Sequence, residues 1–473
     1  MRLVLATRHP ESDDPIKIRV NVPTKLDRNE LRESALIRFQ ARLMPPAPPM
    51  LPGGYNFART AWFEGLAATG SVNGEIELLE EGDGQSMIAQ AQRSLANHVK
   101  SRLSGASGAI AAAFASGDRG AISSADEEAM RDAGLTHLLS ISGLHVSAVI
   151  AAAYLLAIKL LALWPWLTLR VRLPVLAAAI AALAGIGYTL LTGAQVPTVR
   201  SCVAAMLVLG ALALGRDALS MRMVAVAAIF VLLLWPESLI GPSFQMSFAA
   251  VITIVALHSA GPVRRFFAPR EEAWLRRMGR GAFMLLVTGF IIEIALMPIV
   301  LFHFHRAGVY GALANVVAIP LVTFISMPLI AMALLLDILG AGAPVWWLVG
   351  KSLELLLTIA HFTSSQPGAV KLMPQMGLAT FSLFLIGGLW IALWQGRARL
   401  FGFAPVAVAS AMLLATPVPD LLISGDGRHV GITAEDEKLL VLRDSRSDYA
   451  RDNLMELAGV QGEPILLEDW PGA

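Results

Sequence analysis

From about residue 144 to residue 417 the chain is a succession of long apolar runs separated by short polar or basic turns. At ~20 apolar residues per crossing, the runs divide into about ten spans. They lie near 144–166, 173–193, 198–215, 222–240, 243–260, 281–302, 309–336, 345–363, 376–395 and 401–417. The seventh is long enough to break at Pro320 or Pro328, because proline lacks the donor that a helix interior uses. Ahead of the spans the pattern changes. Residues 1–84 hold short alternating runs, Ile16 to Val22 and Leu36 to Leu43, that read as strands of a small β domain. The Pro45 to Pro49 run, with Pro52, Gly53 and Gly54, interrupts any regular element there. Residues 86–104 predict an amphipathic helix suited to the membrane interface, with Met87, Ile88, Ala91, Leu95, Val99 and Leu103 opposite Arg93, His98, Lys100 and Arg102. The small-residue run 106–115 is too short to span and reads as interfacial or re-entrant. Ser124 and Glu127 form a capping box for a short helix that Gly134 can end. After Pro417, Gly425, Asp426 and Gly427 predict a hairpin between Leu421–Ile423 and His429–Thr433, followed by the strand Leu439–Leu442 and a short helix.

Composition settles the class. Hydrophobic residues make up 55% and charged residues 15% of the 473, and mean hydropathy is +0.61. Those values exclude a soluble globular protein of this length. The expected fold is a polytopic α-helical membrane protein of about ten transmembrane helices, with a small N-terminal β domain and a short α/β tail. Its expected segments are the β domain at 1–84, an interfacial helical linker at 85–135, the transmembrane domain at 136–417 and the tail at 418–473. The one cysteine, Cys202, excludes an internal disulfide and any cysteine-based metal site, leaving packing as its role.

Net charge, +1, is uninformative, whereas its distribution is not. Alternate loops carry twelve bases: Arg170, Arg172, Arg216, Arg222, Arg264, Arg265, Arg270, Arg276, Arg277, Arg280, Arg397 and Arg399. Arg200, Arg306 and Lys371 stand on the opposite side. The positive-inside rule puts the twelve in the cytoplasm, so the β domain and the tail are expected to be extracytoplasmic. No signal peptide opens the chain, so something upstream is expected to carry the β domain across.

The candidate chemistry begins where the chain enters the first span. Thr136 to Ile150 brings His137, Ser140, Ser142, Gly143 and His145 to a place where water is scarce. Each unsatisfied polar group in lipid costs several kcal/mol, roughly, so the stretch is either a hydrated mouth or a set of small residues for close helix packing with interfacial histidines. Inside the spans, Arg200, Gln245, Glu293 and Asn315 are either pore-lining or helix-to-helix donors and acceptors. Lys159 can snorkel, and Lys351 and Glu354 can pair at i, i+3. In the β domain, Arg38, Arg42, Tyr55, Phe57, Arg59 and Trp62 could grip and stack a nucleic-acid strand on a five-stranded barrel. A solvated surface, core or membrane-facing cluster is the plainer alternative. The H-x-H of His303 and His305 is followed by Arg306 and Ala307, which makes it a poor metal site.

Four separated motifs carry a resemblance: THLLSISGLHVSAVI at Thr136 to Ile150, GAQVPTVRSCVAAM at Gly193 to Met206, PSFQMSFAAV at Pro242 to Val251, and YGALANVVAIPLVTFISMPL at Tyr310 to Leu329. Together they resemble the competence domain of ComEC-type DNA-uptake channels. Residues Arg42 to Gly70 resemble the OB-like domain that precedes it. The resemblance implies an inner-membrane, multi-pass channel that admits single-stranded DNA during natural transformation. It implies partners, namely the lipid bilayer, single-stranded DNA, a DNA receptor and a cytoplasmic helicase or motor, and no cofactor. The metallo-β-lactamase-like domain of many relatives needs an H-x-H-x-D-H cluster, which none of the nine histidines forms, so no enzymatic activity is expected. Relative to longer family members the chain looks trimmed at both ends. Two other readings stay open: a secondary transporter with Glu293 and His361 as coupling residues, and a truncated, non-functional remnant.

Overall fold

The computed structural model describes residues 2–9, 11–22, 34–80, 82, 87–139, 141, 143–194, 196–213, 215, 220–268, 270–308, 310–434, 438–445, 447–460 and 462–470. They form two compact units. One comprises Met1–Gln90, Leu372–Gln375 and Thr416–Ala473; the other comprises Ala91–Lys371 and Met376–Ala415. The four segments expected along the chain are thus distributed over two bodies. Most of the 85–135 stretch joins the spans, and the tail joins the N-terminal β residues.

In the first unit, β1 (Arg2–Arg8), β2 (Pro15–Asn21), β3 (Leu36–Met44) and β4 (Leu66–Glu80) form a sheet of order β1-β2-β4-β3. β2 and β4 run parallel, and the other two pairs are antiparallel. Among the described residues this sheet has four strands rather than the five expected of a barrel. Strand alternation buries Ile18, Val20, Val22, Val72 and Ile76, with Ile37, Phe39 and Ala41 packed against them. Helix α1 (Phe57–Glu64) lies between β3 and β4, and the Asn56 side chain caps it by accepting from the Arg59 amide at 2.9 Å.

The tail forms β7 (Leu421–Ile423), β8 (Val430–Thr433), β9 (Leu439–Val441), helix α19 (Asp448–Ala458) and β10 (Ile465–Leu466), in a sheet of order β10-β9-β8-β7. Its core of Leu439, Val441, Leu454, Leu457 and Val460 takes in Leu51, which is 1% exposed. The proline-rich stretch therefore does more than interrupt regular structure. It carries an apolar anchor into a second sheet, and the Gly425 amide donates to Met50 O at 2.8 Å beside it.

The second unit is helical. Its elements are α2 (Met87–Arg102), α3 (Gly105–Ser116), α4 (Ser124–Asp132), α5 (Thr136–Leu139), α6 (Gly143–Ala162), α7 (Pro165–Arg170), α8 (Leu173–Leu191), α9 (Val196–Ala213), α10 (Met221–Leu234), α11 (Pro242–Ser259), α12 (Gly261–Phe267), α13 (Trp274–Phe304), α14 (Gly311–Leu321), α15 (Met327–Asp337), α16 (Ala343–Ser364), α17 (Leu378–Leu393) and α18 (Phe403–Leu414). A 3-10 turn, Pro236–Ile240, precedes α11, and β5 (Arg306–Gly308) with β6 (Val370–Leu372) makes a two-stranded ladder. Seven helices among the described residues are long and apolar enough to cross a membrane, as a polytopic membrane protein requires. They are His145–Ala162, Leu173–Leu191, Pro242–Ser259, Trp274–Phe304, Gly311–Asp337, Ala343–Ser364 and Gly396–Leu414. Thr198–Ala213, Met221–Leu234 and Leu378–Leu393, at the three remaining expected spans, are shorter apolar helices.

Two local expectations change in the structure. The long seventh segment does not break; a π turn, Val322–Ser326, carries α14 into α15 between Pro320 and Pro328. Widening to i→i+5 there accommodates prolines that cannot donate in an ordinary α-helical ladder. The cap of α4 is Ser123, one residue before the expected Ser124, with its Oγ accepting from the Asp126 amide at 3.1 Å. In α3, every residue from Ser107 to Ser116 is buried. Ile110 and Phe114 pack in the main core with Met130, Leu138, Val349 and Leu353.

Candidate functional site

The stretch that enters the first span is folded around α3. Ser140 and Ser142 lie outside the described residues. His137 sits half-buried in the single turn of α5, and His145, 1% exposed, stands in the first turn of α6. The His145 ring packs on Phe114 of α3 with centroids 5.2 Å apart. Tyr188 of α8 donates to the Phe114 carbonyl at 2.8 Å, and Thr198 of α9 donates to Ile141 O at 3.2 Å. A buried imidazole thus packs on α3, and α8 and α9 tie the backbone at Phe114 and Ile141.

Arg200 and Gln245 are brought together by the 3-10 turn before α11. Arg200 Nη1 donates to Ser238 Oγ at 2.9 Å, and Nη2 donates to Ser243 Oγ. Gln245 Nε2 donates to Leu239 O at 2.9 Å, while its Oε1 accepts from His303 Nε2 at 2.8 Å. His303 thus belongs to a helix-to-helix network, and His305, 5% exposed, forms the left-handed end of α13 at φ 53°. Among the described residues no group of three metal-ligating side chains gathers.

Glu293 and Asn315 also meet. Asn315 Nδ2 donates to Glu293 Oε2 at 3.2 Å, between the middle of α13 and the start of α14. The chain leaving α4 passes close by: the position a Cβ would take at Gly134 lies 3.5 Å from Gly311 Cα, and its φ of 71° is the left-handed conformation that favours glycine. Beside this crossing Arg306 Nη1 lies 3.5 Å from Asp132 Oδ1. Burial pushes the Asp132 carboxyl up and outweighs the pull of Arg306 and Arg131, leaving it above the usual carboxylate range. His361 works elsewhere. Its Nε2 meets Asp126 Oδ1 at 2.9 Å, so the two residues a coupled transporter would use belong to separate clusters.

One buried carboxylate was not singled out from the sequence. Asp337, its side chain 6% exposed, ends α15 and receives His98 Nε2 at 2.7 Å, Arg102 Nε at 3.4 Å and the Trp346 indole N–H at 2.7 Å. The one usable sequence signal was local: His98 and Arg102 are i, i+4 neighbours on α2, a pair aimed at a single acceptor. These contacts, with Ala96 and Val99 buried, hold the part of α2 from Ala91 onward to the helical unit by one face. Its Lys100 meets Asp118 at 2.6 Å. Burial pushes the Asp118 carboxyl up, but hydrogen bonds from Lys100 and the Gly120 amide, with the charge of Lys100, leave it below the usual range. Lys351 and Glu354 pair at 2.6 Å, both more than half exposed.

In the N-terminal unit the candidates separate into two groups. Arg38 and Arg42 alternate with Ile37, Phe39 and Ala41 on β3 and face solvent; Arg38 lies 3.5 Å from Glu77. On and before α1, Trp62 is 80% exposed and Tyr55 61%, whereas Phe57 is covered by the Arg19 guanidinium 4.2 Å above its ring. Arg59 is exposed on the same helix.

A sequence model of the family described as Competence protein matches residues 114–398. The chain is 28% identical to the competence protein ComA of Neisseria gonorrhoeae over 74% of its own length and 48% of that protein. It is 30% identical to an uncharacterized protein, YcaI, of Escherichia coli K12 over 51% of its own length and 31% of the relative. It is 24% identical to Recombination protein 2 of Haemophilus influenzae over 59% of its own length and 34% of the relative. The aligned stretches thus cover between about a third and a half of these relatives. No solved structure matches the chain significantly.

Proposed function

Because the chain belongs to the competence-protein family, we propose that it is an inner-membrane channel through which single-stranded DNA enters the cytoplasm during natural transformation. The observation that carries this reading is the position of the polar residues within the matched region. His145 stands in the first turn of α6, Arg200 and Gln245 near the starts of α9 and α11, His303 at the end of α13 and Asn315 near the start of α14. With helices alternating in direction, these ends fall on one side of the membrane; Arg200, Gln245 and His303 are partly exposed there, a polar rim that suits a strand leaving water, while His145 and Asn315 are buried behind it.

On this reading three of the shorter apolar helices also cross, which gives about ten crossings of ~20 apolar residues each. The basic loops then face the cytoplasm, and the N-terminal sheet and the tail face outward. The N-terminal sheet is the OB-like element, with Arg38 and Arg42 on its outer face and Tyr55, Arg59 and Trp62 available to meet an incoming strand. Translocation requires a receptor that delivers DNA and a motor that draws it in, and the chain itself performs no covalent chemistry.

Deleting the gene and measuring transformation frequency together with uptake of labelled DNA tests the proposal. Loss of both, restored by the intact gene and without any growth or solute phenotype, is the expected result. Undiminished uptake in the deletion strain of a transformable host would overturn it.

A further inference from the structure

Resting on the channel reading, we propose that Arg200 is the centre of a fixed phosphodiester-binding site framed by Ser238, Ser243, Gln245 and His303. A half-buried guanidinium at the end of an apolar helix gives up hydration that an opposite charge ordinarily replaces. Two comparable bases of the same unit follow that rule. Arg280 has Glu272 at 3.0 Å, and Arg306 has Asp132 at 3.5 Å. Arg200 does not. Both of its side-chain partners are neutral hydroxyls, and among the described residues no carboxylate comes within 4.0 Å; Glu237 of the adjoining 3-10 turn acts on it only through longer-range charge.

The cation is also held in place. Ser238, 5% exposed, fixes one end of the guanidinium from inside, and the exposed Ser243 fixes the other. The Gln245 to His303 hydrogen bond braces the turn that carries Ser238 against α13. A guanidinium has five N–H donors in a planar fork, and the two serines take two of them. The remaining donors, with no carboxylate of the described residues within 4.0 Å, form a braced fork of the kind that matches phosphate oxygens. Phosphodiester of this description comes either from a nucleic-acid backbone or from a phospholipid headgroup.

The test uses the full-length protein in nanodiscs, wild type beside Arg200→Gln, Arg200→Lys and Ser243→Ala. Affinity for a fluorescent poly-dT oligonucleotide is read by anisotropy across a salt series, and retained phospholipid is quantified by mass spectrometry. If the anion is nucleic acid, Arg200→Gln weakens binding roughly tenfold or more. It also flattens the slope of log K against log salt by about 0.7, the value for one phosphate contact on a single strand. Arg200→Lys keeps the slope and loses part of the affinity, because an ammonium lacks the fork. Ser243→Ala, at an exposed position, gives an intermediate loss with the protein intact. If the anion is lipid, the same order of variants appears in retained phospholipid and not in oligonucleotide binding. In that case the site stands and the channel reading loses this support. Wild-type values for Arg200→Gln in both measurements, at wild-type yield, would overturn the site while leaving the channel reading to its own test.

Discussion

His361 Nε2 lies 2.9 Å from Asp126 Oδ1, tying the end of α16 to the first turn of α4. At its other end, α4 is held by Asp132 and Arg306. The helix that delivers the chain to His137 is therefore pinned at both ends to elements far away in sequence.

The first pin makes a pH prediction. Burial pushes the Asp126 carboxyl up, yet hydrogen bonds from Ser123 and His361 and the charge of His361 leave it below its ordinary value of 3.8. A carboxyl depressed in the folded state adds stability above the unfolded value and loses it as pH falls through the folded one. Asp126→Asn is expected to lower thermal stability by about 0.5–1 kcal/mol at pH 7, as for a partly exposed pair. The difference from wild type should begin to shrink near pH 3.8 and vanish as pH falls through the lower value of the folded carboxyl. Melting curves of both proteins at several pH values check it, and a gap that persists at the acid end of the series would refute it.

Asp337 is expected to matter more than any surface acid, because its removal strands Arg102, His98 and the Trp346 N–H together. Asp337→Ala should cost about 2–4 kcal/mol, the upper part of that range being reserved for fully buried partners. Gly342→Ala should be comparably damaging, since its methyl would lie 2.1 Å from Asp337 Oδ1 and 2.9 Å from Ala333 O. Unfolding in mild detergent measures both. Wild-type stability of either variant would remove Asp337 from its structural role.

His145→Leu tests the entrance. Leucine is close enough in size that overpacking against Phe114 should cost no more than ~1–3 kcal/mol. The variant is expected to reach wild-type membrane levels and to lose DNA uptake. Undiminished uptake at equal levels would reduce the Thr136–Ile150 stretch to helix packing.

Orientation is tested by reporter fusions after residues 84 and 417. The excess of basic residues on alternate loops predicts that a reporter active only outside the cytoplasm functions at both positions. Activity of a cytoplasmic reporter at either one would reverse the assignment.

Much of this molecule is local, and local features can be read along the chain. Apolar runs of spanning length mark the membrane helices, alternation on β3 separates Arg38 and Arg42 from Phe39, and Gly425 to Gly427 marks the turn between β7 and β8. The i, i+3 pair of Lys351 and Glu354 needs nothing beyond its own helix. In each case the interacting residues are near neighbours, so periodicity and turn chemistry suffice.

What only the tertiary structure decided are the pairings between helices. His98 and Asp337 are 239 positions apart, Gln245 and His303 58, and Arg200 and Ser238 38. The burial of α3 and the seating of Leu51 in the core of the tail are equally distant from anything written locally. The reason is physical. A membrane helix is apolar on the face that meets lipid and on the face that meets protein, so its sequence does not say which side will touch which neighbour. A polar residue announces that it needs a partner, and only packing chooses the partner: Asp132 for Arg306, and two serine hydroxyls for Arg200.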